Sequence, residues 1–229
     1  MIRVTENFRK IQDLLAKSAR EAGRPEDSVR LLAVTKGQPA AAVSEAVSAG
    51  QKAFGESFVQ EAVKKIAEVG RDDLEWHFIG HLQSNKTRQV AEQFQWVHTV
   101  DRLKIAERLS RQRPYYATDL NVCLQVMIDP EDDKSGVTAE GLPDLAAAVV
   151  ALPKLKLRGL MCIPAVRHDF EAQREPFRRL RTLAEGLTAV GIDTDTLSMG
   201  MSADFVAAIH EGATLVRIGT ALFGPRRRG

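Results

Sequence analysis

The stretch Val29-Arg30-Leu31-Leu32-Ala33-Val34-Thr35-Lys36-Gly37-Gln38-Pro39 decides the architecture. Residues 29–35 are short, apolar and β-branched at the ends, the pattern of a strand buried in a sheet. An open, doubly wound sheet would follow such a first strand with a glycine-rich GxGxxG turn. Lys36-Gly37-Gln38-Pro39 has no such turn. Further strand-like runs follow at 52–55, 74–79, 96–100, 120–128, 155–163, 196–199 and 214–218. Between them, apolar residues spaced three and four apart predict helices at 40–49, 58–69, 84–94, 102–111, 139–151, 171–190 and 203–210, as Val90, Ala91 and Phe94 illustrate. An amphipathic helix over 6–22, with Phe8, Ile11, Leu14 and Leu15 on one face, precedes the first strand. Gly50, Gly70, Gly191 and Gly212 stand where helices would end in a left-handed cap.

Eight strands separated by helices must run parallel, because a helical crossover returns the chain to the same end of the sheet. Eight such units favour closure into an α/β (β/α)8 (TIM) barrel, a fold of typically ~250 residues. The expected organisation is one domain over 1–229, with an extra N-terminal helix in 1–23 and a basic tail at 225–229.

Composition narrows the function classes. The chain has 229 residues, 44% of them hydrophobic, enough to bury one large core. Its 32 basic residues are interleaved with 30 acidic ones, for a net charge of +2, which argues against a nucleic-acid footprint. Arg226-Arg227-Arg228 reads as a solvated tail. No apolar stretch approaches the ~20 residues of a membrane span, and residues 1–23 lack a signal-peptide pattern. Cys123 and Cys162 sit in apolar runs and read as core thiols. A cytoplasmic protein, with no nucleic-acid or membrane partner, is the expectation.

In a barrel the loops that follow the strands gather on one face, and those after strands seven and eight commonly hold phosphate. Lys36 ends strand one, which closes the barrel beside strand eight. Ser198-Met199-Gly200-Met201-Ser202 ends strand seven, and Arg217-Ile218-Gly219-Thr220 ends strand eight. A lysine at the mouth can condense with an aldehyde if its pKa falls from ~10.4, by burial or by nearby cations such as Arg217. An aldehyde and a phosphate on one ligand suggest pyridoxal 5′-phosphate (PLP). Each element also has a plainer reading. Ser202 fits the N-cap of a helix with Asp204 in its first turn. Gly219 fits a turn glycine, and Lys36 a surface lysine. His77 and His81 are four apart, but Trp76-His77-Phe78-Ile79-Gly80 reads as a strand entering a turn and HExxH is missing, so a metal site is not expected. His81 is placed to reach the mouth. His98, His168 and His210 show no partner pattern.

Ala33-Val34-Thr35-Lys36, Phe54-Gly55-Glu56, Glu75-Trp76-His77-Phe78-Ile79-Gly80-His81-Leu82-Gln83-Ser84-Asn85-Lys86 and Lys134-Ser135-Gly136 resemble the pyridoxal phosphate homeostasis protein family. So do Arg158-Gly159-Leu160-Met161, Leu197-Ser198-Met199-Gly200-Met201-Ser202 and residues 216–224, in the family's order along nearly the whole chain. The resemblance implies a fold type III PLP-binding barrel similar to the N-terminal domain of alanine racemase, with the cofactor on Lys36. It implies phosphate contacts from Ser202, Gly219 and Thr220, and Arg217 near the pyridine nitrogen. Met199 and His77, from the matching motifs, complete the implied cofactor-binding set. It further implies a monomer that carries PLP or regulates its free level, with PLP-dependent apoenzymes as partners and no established turnover. Gly37-Gln38 departs from the Thr-Lys of many relatives, removing a cation beside the site, and Ser57 departs from their Asn. Lys134 reads either as an alternative acceptor or as a solvated lysine among Glu131, Asp132 and Asp133.

Racemisation on this cofactor normally needs a base on each face of the substrate carbon. Tyr115 and Tyr116 lie between a helix and the following strand, at the opposite end of the barrel. The chain ends soon after the eighth strand, leaving no room for a second domain to supply an acid. An arginine facing the pyridine nitrogen would make the ring a weaker electron sink. These features favour storage over turnover, with His81 left as a candidate second acid. A racemase or lyase of the same barrel class, and a Schiff-base aldolase acting on a phosphorylated sugar, stand as the alternatives.

Overall fold

The structure, a computed structural model, describes residues 4–129 and 135–225. Glu131, Asp132, Asp133, Lys134 and the Arg226–Arg228 run lie outside the described residues. Eight parallel strands close into a barrel in chain order: β1 (Arg30–Val34), β2 (Ala53–Glu56), β3 (Glu75–Phe78), β4 (Trp96–Val100), β5 (Leu120–Gln125), β6 (Leu155–Met161), β7 (Thr196–Ser198) and β8 (Leu215–Ile218). Around it lie α2 (Ala40–Ser48), α3 (Val59–Val69), α4 (Thr87–Gln93), α5 (Leu103–Gln112), α6 (Leu142–Val150), α7 (Phe170–Ala189) and α8 (Phe205–His210). A single 3-10 turn, Ser84–Lys86, leads into α4. Gly50, Gly70, Gly191 and Gly212 all have positive φ, as their places after helices suggested.

Among the described residues, β8 is followed by the four-residue α9 (Thr220–Phe223). The first helix, α1 (Val4–Glu21), packs against α8, α9 and α2. Val4, Phe8, Ile11, Leu15 and Ala19, at spacings of three and four, form its buried stripe. Each of its larger apolar side chains contributes roughly 1.5–3 kcal/mol by burial, before the entropy of ordering the helix is subtracted. Asn7 Nδ2 also donates to Leu222 O at 2.9 Å, tying α1 to α9.

The strand period of two divides the core. Leu31, Ala33, Val216 and Ile218 face outward into the layer beneath the helices. Leu32, Val34, Ala53, Ile79 and Leu215 cluster inside the barrel, and Trp96, Cys123 and Met161 form a second inner cluster. Both cysteines are buried and free, and burial pushes each thiol up to about 12. Strand five is shorter than its apolar run: it ends at Gln125, and Val126 beyond it donates to Met161 O and bridges Val137.

β6 carries one extra residue against β5, since Val122 pairs with Leu157 but Cys123 with Gly159. The bulge turns Arg158 to Asp195, to Asn121 and over the Trp96 ring, 4.7 Å from its centroid. It also brings Gly159 so close to β7 that an added Cβ would stand 1.9 Å from Thr196 O. Gly159→Ala must therefore part β6 from β7. The expected cost is about 3 kcal/mol or more, read as a lower urea midpoint with an unchanged slope.

Candidate functional site at the barrel mouth

Barrel closure assembles the site. β1 pairs with β8 in the register Ala33↔Ile218, and β8 with β7 as Ser198↔Leu215. The segments beyond those strands, with Lys36, Gly219–Thr220 and Ser202, therefore emerge side by side on three consecutive staves at one rim. Thr35 still follows the sheet, donating its N–H to Gly55 O and turning its side chain outward to Glu56. Lys36 follows it, half-buried, at the mouth.

The β7 and β8 ends present unpaired donors. Among the described residues, the backbone N–H groups of Ser202, Ala203 and Gly219 and the hydroxyls of Ser202 and Thr220 have no protein acceptor. The first N–H groups of α9 lack helical partners by geometry. Gly219 packs closely on β1: an added Cβ would stand 3.2 Å from Val34 O, a tight contact. Ser202 is not a helix cap: α8 starts at Phe205, with Asp204 as its N-cap residue. The Asp204 carboxylate accepts from Met201 N–H at 2.6 Å. It is thereby engaged on the Met201 side.

Lys36 is flanked by a clamp from α3. Lys65, 4% exposed, donates to Thr35 O (2.6 Å), Glu56 Oε1 (2.6 Å) and Glu61 Oε1 (2.9 Å). Glu61 in turn accepts from Gly37 N–H at 2.6 Å. The peptide groups on both sides of Lys36 are thus fixed to one helix. Burial pushes the Glu56 carboxyl up, against the pull of Lys65.

A polar chain crosses the barrel interior below the rim. Glu75 at the N-terminal end of β3 bonds His77 Nε2 (2.8 Å), and His77 Nδ1 bonds His98 Nε2 (2.8 Å). His98 Nδ1 meets Ser198 Oγ (2.7 Å), which accepts from Arg217 Nη1 (2.9 Å). Arg217 also donates to Ser198 O (2.6 Å) and Cys162 O (2.9 Å). Burial alone would push the Glu75 carboxyl up, but the bond from His77 and the Arg30 guanidinium hold it at about 2. Burial depresses both histidines, His98 further because His77 and Arg217 face it. Glu75 is therefore an anion that only accepts, while both imidazoles are neutral. His77 must carry its proton on Nε2, His98 likewise on Nε2, and Ser198 must donate to His98. Every bond points the same way, from Arg217 to Glu75.

His77 is thus wholly inside the barrel, joined to Arg217 through two intermediaries. Met199, the residue after β7, is fully buried in the outer layer beneath the helices. His98 and Ser198 had no local signal beyond being polar at inward positions of apolar strands. His81 does reach the mouth, exposed, with Nδ1 3.1 Å from Ser135 Oγ. Tyr115 and Tyr116 are exposed in the turn before β5, at the other end. No group of three or more metal-ligating side chains occurs among the described residues. No helix among them is long and apolar enough to cross a membrane.

Residues 3–227 match the family described as alanine racemase, N-terminal domain. A Pseudomonas aeruginosa protein called pyridoxal phosphate homeostasis protein is 56% identical over 229 residues, covering 100% of this chain and 98% of the relative. An Escherichia coli protein of the same name is 50% identical over 226 residues, 97% of each. The chain belongs to the pyridoxal phosphate homeostasis protein family. Among solved structures, PipY of Synechococcus elongatus with PLP bound superposes with TM-score 0.86 at 38% identity, covering 96% of this chain and all of PipY. An alanine racemase of Clostridium difficile, 14% identical with TM-score 0.76, covers 99% of this chain and 57% of its own and shares the fold. The family's fold and the one expected from the sequence agree.

Unfolded histidines take up protons below about 6.5 that the folded pair refuses, so stability falls as pH drops through that value. The loss is up to about 1.4 kcal/mol per pH unit for each histidine. Glu75, held at about 2 against an ordinary 4.5, adds a further loss below pH 4.5. Urea midpoints between pH 7 and 5 check the histidine part. Nitrogen-15 spectra of labelled histidine should show Nε2–H for both buried rings. Glu75→Gln, which can donate as well as accept, should populate the other tautomer.

Proposed function

We propose that this protein binds pyridoxal 5′-phosphate as a Schiff base on Lys36, and that it serves intracellular PLP homeostasis as a cytoplasmic carrier or regulator rather than by turnover. The observation that carries this reading is the convergence, on adjacent staves, of a half-buried lysine with unpaired donors at the ends of β7 and β8. When bound, PLP supplies an aldehyde that condenses with an amine. The donor set fits that group: Lys36 offers the amine, while Ser202, Gly219 and Thr220 offer N–H and hydroxyl donors to a phosphate. Arg217, deeper in the barrel and bonded to Ser198 and Cys162 O, is read as the residue near the pyridine nitrogen. His77 is read as acting on the cofactor through Arg217, and Met199 as supporting the β7 loop from behind.

The names of the P. aeruginosa and E. coli relatives support the homeostasis reading, as does PipY with PLP bound. Against turnover stands the mouth itself: Tyr115 and Tyr116 are at the far end, and His81 is exposed and bonded to Ser135. Deuterium wash-in at the α-carbon of amino acids at enzyme-like rates would establish the racemase alternative. The apoenzymes that use PLP are the proposed recipients, and a monomer the proposed state.

Adding PLP to purified protein should give a visible absorbance band, and borohydride reduction with peptide mapping should place the label on Lys36. Lys36→Ala should abolish band and label with its unfolding midpoint nearly unchanged, since a half-exposed mouth residue contributes little packing. Label on another lysine would refute the assignment. Replacing both Ser202 and Thr220 by alanine should weaken retention by about tenfold or more while the band still forms, each hydroxyl bond to phosphate being worth roughly 1 kcal/mol. Unchanged affinity in that pair would refute the phosphate reading.

A further inference from the structure

The end of the barrel opposite the mouth holds a cavity of about 330 Å³, within the ~300–1,000 Å³ range of small-molecule sites. Residues that open strands bound it: Arg30 of β1, Trp96 of β4, Thr196 of β7 and Leu215 of β8, joined by Asp27 and Ser28 from the segment before β1. Among the described residues four buried side-chain polar atoms have no hydrogen-bond partner. Two of the four, Ser28 Oγ and Trp96 Nε1, belong to residues of this one wall. Trp96 is only 1% exposed, and an N–H so deeply buried costs stability unless something accepts from it. His77 stacks on the Trp96 ring, centroids 5.2 Å apart, and the Arg158 guanidinium lies 4.7 Å over it. With the ring so covered, its N–H edge is what remains for a ligand.

Charge and hydrogen bonding define that ligand. Two arginines, Arg30 and Arg158, and two aspartates, Asp27 and Asp195, line the cavity, so its wall has no net charge. Arg158 is spent on Asp195 and Asn121. Arg30 gives a single N–H, to Glu75 at 2.6 Å, and its other N–H groups have no acceptor among the described residues. Thr214, also on the wall, accepts from Leu197 N–H at 2.9 Å and keeps its own hydroxyl proton unspent. Asp27 is the complement, an acceptor with no donor among the described residues.

We propose that this cavity binds a small uncharged polyol, whose oxygens accept from Trp96 Nε1–H, Ser28 and Arg30 and one of whose hydroxyls donates to Asp27. A hydroxyl both accepts and donates, so one molecule meets both kinds of unspent group without adding a charge. A carboxylate would crowd Asp27 and Glu75, and an ammonium would leave the Trp96 and Arg30 donors unmet. Since Arg30 also holds Glu75, the ligand is one residue away from the foot of the interior chain that runs through His77 and His98 to Arg217.

The test is a titration of the full chain with xylitol, followed by the NMR signals of the indole N–H groups and of nitrogen-15-labelled histidine. The Trp96 signal should move saturably while that of Trp76, which does not line the cavity, stays in place. The His77 ring nitrogens should move with the same half-saturating concentration, because Glu75 shares Arg30. Ser28→Ala removes a hydroxyl that bonds nothing in the protein, so it should fold as before and raise the half-saturating concentration about fivefold, the worth of one hydrogen bond. Lys36→Ala, at the other end of the barrel, should leave the titration unaltered. A Trp96 shift that never saturates, an equal shift at Trp76, or a still His77 would overturn the proposal. So would unchanged binding in the Ser28 variant, or weakened binding in the Lys36 variant, which would move the ligand to the mouth. Acetate or ammonium saturating the Trp96 shift at a lower concentration than xylitol would give the cavity to an ion and equally overturn it.

Discussion

The parallel pairing of Arg30–Ala33 with Leu215–Ile218 is the constraint on which the site depends. It joins the first strand to the last, and by closing the sheet it removes both edges. It also sets the stagger that puts Lys36 beside Gly219 and Thr220. Those residues are more than 180 apart in sequence. Only closure makes them neighbours, so a slip of β1 on β8 would dissolve the site while leaving each loop intact. Gly219 belongs to the same constraint, because a Cβ there would press on Val34 O at 3.2 Å.

A barrel that puts Arg217 inside must compensate a buried cation. No carboxylate bonds directly to its guanidinium among the described residues. The compensation arrives instead as a directed chain that ends on Glu75, at the opposite rim. Such a chain is costly if any member is left unsatisfied, because an unpaired polar group in a low-dielectric interior loses its hydration without return. The neutral imidazoles are what make the direction unique. Two donors or two acceptors meeting anywhere along it would break a bond of 2.7–2.9 Å.

The periodicities made the barrel legible, since eight β-branched runs separated by helical ones leave few parallel arrangements. The place of Lys36 at the mouth was equally readable, because it ends the apolar run Leu31–Val34. Other features depended on contacts between distant residues. The apolar run at 120–128 continues past the end of β5 because Val126 pairs with Val137 outside the barrel. Ser202 looked like a helix cap from its spacing to Asp204, but the helix starts one residue after Asp204. His98 gave no signal because its partners are 21 and 100 residues away. What was available was composition at inward positions: His77, His98, Ser198 and Arg217 are polar where a barrel interior is usually filled by Val, Ile and Leu. Four such residues on β3, β4, β7 and β8 can be joined only across the lumen.

Two lysines flank Thr35 in space, and the structure distinguishes their chemistry. Lys65 has three N–H donors as an ammonium and three oxygens to receive them, two of them from carboxylates. With all three donors engaged in that buried clamp, Lys65 is turned away from the mouth. Lys36 instead borders an open hollow formed by the segments after β2 and β3. The buried lysine thus fixes the backbone on either side of the accessible one, through Thr35 O and, via Glu61, Gly37 N–H. The same helix α3 that supplies the clamp also supplies Val59 and Gln60 to the wall of the hollow.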